Sequence, residues 1–161
     1  MRAYSLDPGA GEAIWMFDSL DRVKADATHT DGSFSLVEFH DSEGSAVPVH
    51  VHERFDRGFF VTEGSYTFVV DDARRSVSAG GWVFVPRGVA HAWRCDTPTG
   101  RCINVTVPGG FEDFYRAVGE PVTGDELPSR REPEIEVLAR AAAGFGVTIV
   151  GPPPSRSAAS S

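Results

Sequence analysis

The sequence predicts an all-β fold, its antiparallel strands closed into a sandwich or barrel. Two observations carry this. Between about residues 33 and 108 the chain is a succession of short apolar runs, each ended by Gly, Pro or Asp, and nothing in that stretch shows helical periodicity. A chain of 161 residues with 41% hydrophobic content is long enough for one domain with a real core and too short for two of ordinary size.

Taken in order, residues 1–32 read as an N-terminal arm and edge strands. Within them "EAIWMFDSLDRVKA" is ambiguous between an edge strand and a short helix. Trp15 and Phe17 alternate with Ile14 and Met16, so both faces have something to bury, for instance under a second subunit. A homodimer sharing its N-terminal strands is the expectation.

Residues 33–108 form the barrel core: "FSLVEFH", "VPVHVH", "GFFVTEG", "SYTFVVDD", "SVSAGGWVFVPRG", "HAWRC" and "CINVTVPG". Inside this region "VTEGSYTFVVDDARRSV" reads as two successive hairpins, turning at Glu63–Gly64 and again around Asp72–Ala73.

After Pro108 the character changes, and residues 109–150 read as a helical segment packed on the barrel. In "GGFEDFYRAVGEP" a helix puts Phe111, Phe114, Tyr115 and Val118 on one face, with Gly119 and Pro121 as its stop. In "LPSRREPEIEVLARAAAGFG" Pro133 stands near a helix start, Ile135, Leu138 and Ala142 share a stripe, and Gly144 or Gly146 follows its end. Residues 151–161, "GPPPSRSAASS", are low in complexity and read as a disordered tail.

The net charge of −8 and the lack of any Lys/Arg cluster argue against nucleic acid as a partner. No run of eighteen apolar residues suggests a membrane span, and the N-terminus shows no apolar leader region, so a cytoplasmic location is expected. Cys95 and Cys102 flank a turn-like "DTPTGR" and could face each other across a hairpin. Two reduced thiols are the expected state.

The chemistry gathers in "VPVHVHERFDRGFFVTEG". Residues two apart on a strand share a face, so His50 and His52 point together while Val49, Val51 and Glu53 point away. Two imidazoles on an inward face are half of a metal site, although an H-x-H pair alone also arises by chance. Its surroundings add weight. Gly44 precedes His50 with five residues between them, Gly64 follows, and "GGWVFVPRGVAHAW" sets Gly80, Pro86, Gly88 and His91 at G-x5-P-x-G-x2-H spacing.

These two segments resemble the paired motifs of the cupin superfamily, G-x5-H-x-H-x3,4-E-x6-G and G-x5-P-x-G-x2-H-x3-N. From roughly residue 10 to 122 the chain is similar to single-domain, quercetin dioxygenase-like cupins. The resemblance implies a double-stranded β-helix, a jelly-roll barrel, with short C-terminal helices. It also implies one divalent transition metal, Fe2+, Ni2+, Mn2+ or Zn2+, on His50, His52 and His91. Two positions depart from the pattern: Arg57 stands where the family has its glutamate ligand, and Cys95 where it has asparagine.

Arg57 replaces a ligand by a permanent cation, and three accounts of it stay open. The three histidines hold the metal alone and Arg57 clamps an anionic substrate oxygen; Asp56 or Glu53 swings in as a substitute ligand; or the barrel is metal-free. Arg57 is thus the candidate catalytic residue. Tyr66, Phe68, Phe84, Trp93, Cys95 and His40 are the candidates to line the substrate pocket with it.

The activity implied is that of a metal-dependent enzyme acting on a small aromatic, polyketide-like or otherwise enolisable substrate, with dioxygenase-type oxygenation leading. A redox-neutral isomerase, cyclase or dehydratase of secondary metabolism, and a non-catalytic small-molecule binder, are the alternatives.

Overall fold

The computed structural model describes residues 1–129, 131 and 134–156. Its strands are β1 (Glu12–Met16), β2 (Ser19–Ala25), β3 (Ser35–Ser42), β4 (Val49–His52), β5 (Asp56–Glu63), β6 (Ser65–Val70), β7 (Ala73–Ser78), β8 (Trp82–Val85), β9 (His91–Cys95), β10 (Thr99–Val107), β11 (Glu120–Val122) and β12 (Val147–Gly151). Three helices accompany them: α1 (Ala27–Thr30), α2 (Glu112–Val118) and α3 (Ile135–Gly144). The strands form two antiparallel sheets, one in the order β11-β1-β2-β3-β10-β5-β8 and the other β12-β4-β9-β6-β7. The all-β jelly roll expected from the sequence is the architecture found.

Period-two burial decides what each strand contributes. On β3 the odd positions Val37, Phe39 and Asp41 turn inward, on β10 the even positions Cys102, Asn104 and Thr106, and on β5 Arg57, Phe59 and Val61. Phe39, Phe59, Phe68, Trp93 and Val85 fill the space between the sheets. No described helix is long and apolar enough to cross a membrane.

The ambiguous "EAIWMFDSLDRVKA" is a strand pair, β1 with β2, turning at Phe17 with φ 62°. The outer edge of β1 pairs with β11 of the same chain.

The first expected hairpin needs correction. β5 and β6 belong to different sheets, so Glu63–Gly64 is a corner where the chain changes sheet. Gly64 has φ +74°, and a Cβ there would lie 2.4 Å from Thr97 Oγ1 and 2.5 Å from the Thr99 carbonyl, which leaves room for glycine only. The second hairpin is present: β6 pairs with β7, Val70 opposite Ala73. Cys95 and Cys102 likewise fall in different sheets, and both are free and buried thiols.

The segment 109–150 is not purely helical, because β11 and β12 extend the two sheets. β12 pairs with β4, Val147 opposite His52 and Ile149 opposite His50, so the histidine strand is interior to its sheet. Nor is the expected tail detached from the body where it is described: Gly151 ends β12, Pro154 is buried, and Arg74 donates a hydrogen bond to the Ser155 carbonyl. Pro133 and residues 157–161 lie outside the described residues.

Candidate metal and substrate site

Each histidine is held by an element the motif residues fix. Alternation on β4 buries His50 and His52 together, and His91, the first residue of β9, lies directly opposite His50. Gly88, at φ +83°, donates its N–H to the His52 carbonyl at 2.8 Å, and this bond ties the loop before His91 to the histidine strand. The ring centroids stand 4.3 Å (His50–His91), 5.0 Å (His50–His52) and 5.6 Å (His52–His91) apart. One nitrogen from each ring lies within 4.8 Å of the other two.

Hydrogen bonding fixes the tautomers. His50 Nδ1 is 2.7 Å from the Pro48 carbonyl and His91 Nδ1 is 3.1 Å from the Val89 carbonyl, so both Nδ1 atoms donate. Their Nε2 lone pairs are thereby left for the barrel interior, and His91 Nε2 is buried with no hydrogen-bond partner among the described residues. Burial depresses all three rings: His50 falls to about 4, aided by Arg57, while His52 and His91 lie well below the usual imidazole range. Three neutral imidazoles are what a transition metal requires of its ligands.

Arg57 enters from the other sheet and is 2% exposed. Its Nη1 donates to His52 Nε2 at 2.9 Å and its Nη2 to the Tyr115 hydroxyl at 2.8 Å and to Asn104 Oδ1. Asn104 is held in turn by donating to the Gly58 carbonyl. The guanidinium lies over Phe111 (5.0 Å), Phe59 (5.3 Å) and Trp93 (5.8 Å). Among the described residues no carboxylate forms an ion pair with it. Its charge is thus met by neutral hydrogen-bond partners and aromatic faces in place of a carboxylate.

The substitute-ligand account does not survive. Asp56 faces outward and takes both the backbone N–H and the side chain of Arg87, and Glu53 is exposed.

A cavity of about 390 Å³ opens beside this cluster. Arg57, His50, Trp93 and Tyr115 line it, α3 contributes Leu138 and Ala142, and Asp21 and Asp41 stand in its wall as well. Of the pocket residues expected from sequence, Trp93 and Arg57 line this cavity. Tyr66, Phe68 and Cys95 are buried in the core without reaching the cavity. Phe84 and His40 require correction: both sit on the outer parity of their strands, Phe84 57% exposed and His40 in a separate pocket with Arg101.

The sequence reading missed Asn104, Tyr115, Asp21 and Asp41 as site residues. Asn104 was detectable in principle, as a polar residue at an inward position of "CINVTV".

A cupin-domain family model matches residues 37–107. Over 125 residues the chain is 32% identical to quercetin 2,3-dioxygenase of Bacillus subtilis, covering 78% of this chain and 37% of that protein. Against the Aspergillus japonicus quercetin 2,3-dioxygenase it is 30% identical over 87 residues, 51% of this chain and 25% of that one. The chain thus spans well under half the length of these curated relatives. Similar solved structures include KdgF from Halomonas sp. (TM-score 0.63, 16% identity, 70% of this chain and 99% of that one). The polyketide cyclase RemF from Streptomyces resistomycificus also matches (TM-score 0.58, 24% identity, 79% and 90%). At these identities both show the fold alone.

Proposed function

Since this chain is a cupin of the quercetin dioxygenase-like kind, we propose that it is a metal-dependent enzyme acting on a small planar substrate with an ionisable enol or phenol, most readily by dioxygenase-type oxygenation. The observation that carries the reading is the buried Arg57 guanidinium, with no carboxylate partner among the described residues, in the wall of the cavity beside three convergent neutral imidazoles. His50, His52 and His91 would hold the ion. The orphaned Nε2 of His91, and the Nδ1–carbonyl bonds that orient His50 and His91, fit that role. When bound, a divalent metal supplies Lewis acidity toward a substrate oxygen and, if redox-active, a route to dioxygen.

The chain's own residues do the rest. Arg57 stabilises negative charge on the substrate oxygen through donors fixed in advance by Asn104 and Tyr115. Trp93, Phe111 and Phe114 give an apolar wall for a ring, and Leu138 and Ala142 of α3 add to that apolar lining.

A second reading, a metal-free binding or acid–base pocket, is favoured by one contact: Arg57 occupies the His52 Nε2 lone pair that an ion would need. Elemental analysis of protein purified without chelator or polyhistidine tag, beside His50→Ala, separates the two. The metal-enzyme reading expects near-stoichiometric transition metal that the variant loses, and oxygen uptake with a panel of flavonols and diketones. Protein without metal would leave the second reading standing.

A further inference from the structure

The cavity beside Arg57 holds a second polar point that the reading above does not use. Asp21 on β2 is 2% exposed and lines the cavity. Its Oδ1 accepts the Ser19 hydroxyl at 2.6 Å. Its Oδ2 has no hydrogen-bond partner among the described residues, yet it is not sealed off from open space, so that oxygen faces the cavity. The other aspartates of the wall differ. Asp41 has a hydroxyl at each oxygen, Tyr66 at 2.7 Å and Ser45 at 3.2 Å, and Asp18 is half-buried, within reach of water. A buried carboxyl oxygen with no partner is costly, and a bound molecule that meets it offsets the cost.

Asp21 and Arg57 address different atoms of a ligand. Among the described residues they form no ion pair with each other, and two strands, β3 and β10, stand between β2 and β5. Their rows are offset as well: Asp21 lies opposite Phe39, which pairs with Cys102 of β10, whereas Arg57 pairs with Thr106. Aromatic side chains join the two points. The guanidinium is 5.8 Å from the Trp93 ring, and Trp93 stacks at 5.7 Å on Phe39, the cross-strand neighbour of Asp21. A conjugated ring packed against Trp93 and Phe39 can present one oxygen to the guanidinium and a second to Asp21.

The chemistry of that second oxygen follows from the carboxyl group. Burial raises Asp21 well above the usual carboxylate range, and Asp41 adds to this against the Ser19 bond, so the neutral acid is the favoured form. Because Oδ1 accepts from Ser19, the proton lies on Oδ2 and the group offered to the cavity is a donor.

We propose that Asp21 determines which phenolate or enolate this cavity accepts: its Oδ2 hydrogen-bonds a second, acceptor oxygen conjugated with the ionised oxygen held at Arg57. The inference rests on the anion-holding role of Arg57 given above. A carbonyl or nitro oxygen in conjugation takes up part of the negative charge, which strengthens it as an acceptor. A phenolate without that second oxygen leaves Asp21 unmet and binds more weakly.

The test compares two phenols of similar acidity on the full chain, at a pH where both are largely ionised. One is 4-nitrophenol, whose anion is yellow and carries an acceptor group across the ring; the other, 2,6-dichlorophenol, has no second oxygen. Affinities are measured by calorimetry for wild type, Asp21→Leu and Asp21→Asn, and the bound anion of 4-nitrophenol by absorbance. Asp21→Leu is expected to weaken 4-nitrophenol about tenfold and 2,6-dichlorophenol less than about twofold, whereas Asp21→Asn, whose amide N–H donates in place of the acid, stays within about threefold of wild type for both. Unchanged affinity of Asp21→Leu for 4-nitrophenol, or an equal loss of both probes, overturns the role of Asp21 while leaving the anion site standing. If Asp21→Leu does not fold, Raman spectroscopy of 4-nitrophenol bound to wild type decides. A nitro stretch lower than in aprotic solvent supports the hydrogen bond, and an unshifted one overturns it. Absence of the bound anion band in wild type overturns the anion site at Arg57, and the Asp21 contact with it.

Discussion

Replacing Arg57 by methionine keeps most of the side-chain volume and removes the charge, and it is expected to tighten transition-metal binding at His50, His52 and His91. Arg57 Nη1 stands 2.9 Å from His52 Nε2. With a metal–nitrogen bond of roughly 2 Å, an ion on that nitrogen lies no more than roughly 5 Å from the guanidinium. A dication and a monocation at that separation repel by roughly 7 kcal/mol at an effective dielectric of about 20, and by roughly 2 kcal/mol even in bulk water. The smaller figure already corresponds to at least about a tenfold change in affinity. The substitution also returns the His52 Nε2 lone pair to the ligand set. The fold should tolerate it, because Asn104 Oδ1 keeps the Thr106 hydroxyl at 3.1 Å and removing an uncompensated buried charge offsets the lost hydrogen bonds. Competition against a chromogenic chelator with Zn(II) and Mn(II) reads the affinity, and thermal unfolding checks the fold. A folded Arg57→Met protein binding metal no more tightly than wild type would refute the idea that the guanidinium opposes an ion at the three histidines.

Two further outcomes follow from burial. Asp41 titrates near 6 in the folded protein against an ordinary 3.8, so the native state holds this proton more tightly than the unfolded chain. Its share of stability is complete below about pH 4 and is lost as pH rises through 6, a loss of about 3 kcal/mol for a shift of about two pH units. Urea unfolding at pH 4 and pH 7 should show that much more destabilisation in wild type than in Asp41→Asn, and equal differences would show that the carboxyl is not held protonated. Phe84→Ser, on the outer face of β8, should change stability by less than about 0.5 kcal/mol and leave 4-nitrophenol binding untouched. Loss of the probe would return Phe84 to the cavity wall.

The barrel and its histidines were legible because both depend on local, periodic signals. Alternation placed His50 and His52 on one face, and the Gly88–His91 spacing located the third ring. Arg57 was found for the same reason, five residues beyond His52 in a fixed motif. Phe84 and His40 were misplaced because alternation gives the faces of a strand without saying which one the sheet buries, and a half-exposed aromatic strand such as "WVFV" reads equally well either way. The Glu63–Gly64 corner was mistaken for a hairpin since a tight turn does not reveal whether its two strands stay in one sheet. Asp21 and Asp41 left no signal at all: they lie 20 residues apart in sequence and come together only when β2 pairs with β3.

The two-sheet architecture explains why the site holds charges that would otherwise neutralise one another. The imidazoles come from β4 and β9 of one sheet, whereas Arg57, Asp21 and Asp41 come from β5, β2 and β3 of the other. Within that second sheet β3 and β10 separate Asp21 on β2 from Arg57 on β5, β10 alone separates Asp41 from it, and among the described residues neither carboxylate forms a salt bridge with Arg57. Asn104 on the intervening β10 and Tyr115 on α2 fix the guanidinium from its own side, and Ser19, Ser45 and Tyr66 fix the carboxylates from theirs. The result is a cavity whose wall carries a cation and two buried carboxyl groups among aromatic side chains. On the function proposed above, a small molecule with an ionised oxygen meets the Arg57 guanidinium, and a neutral, non-ionisable one of the same shape leaves it unmet.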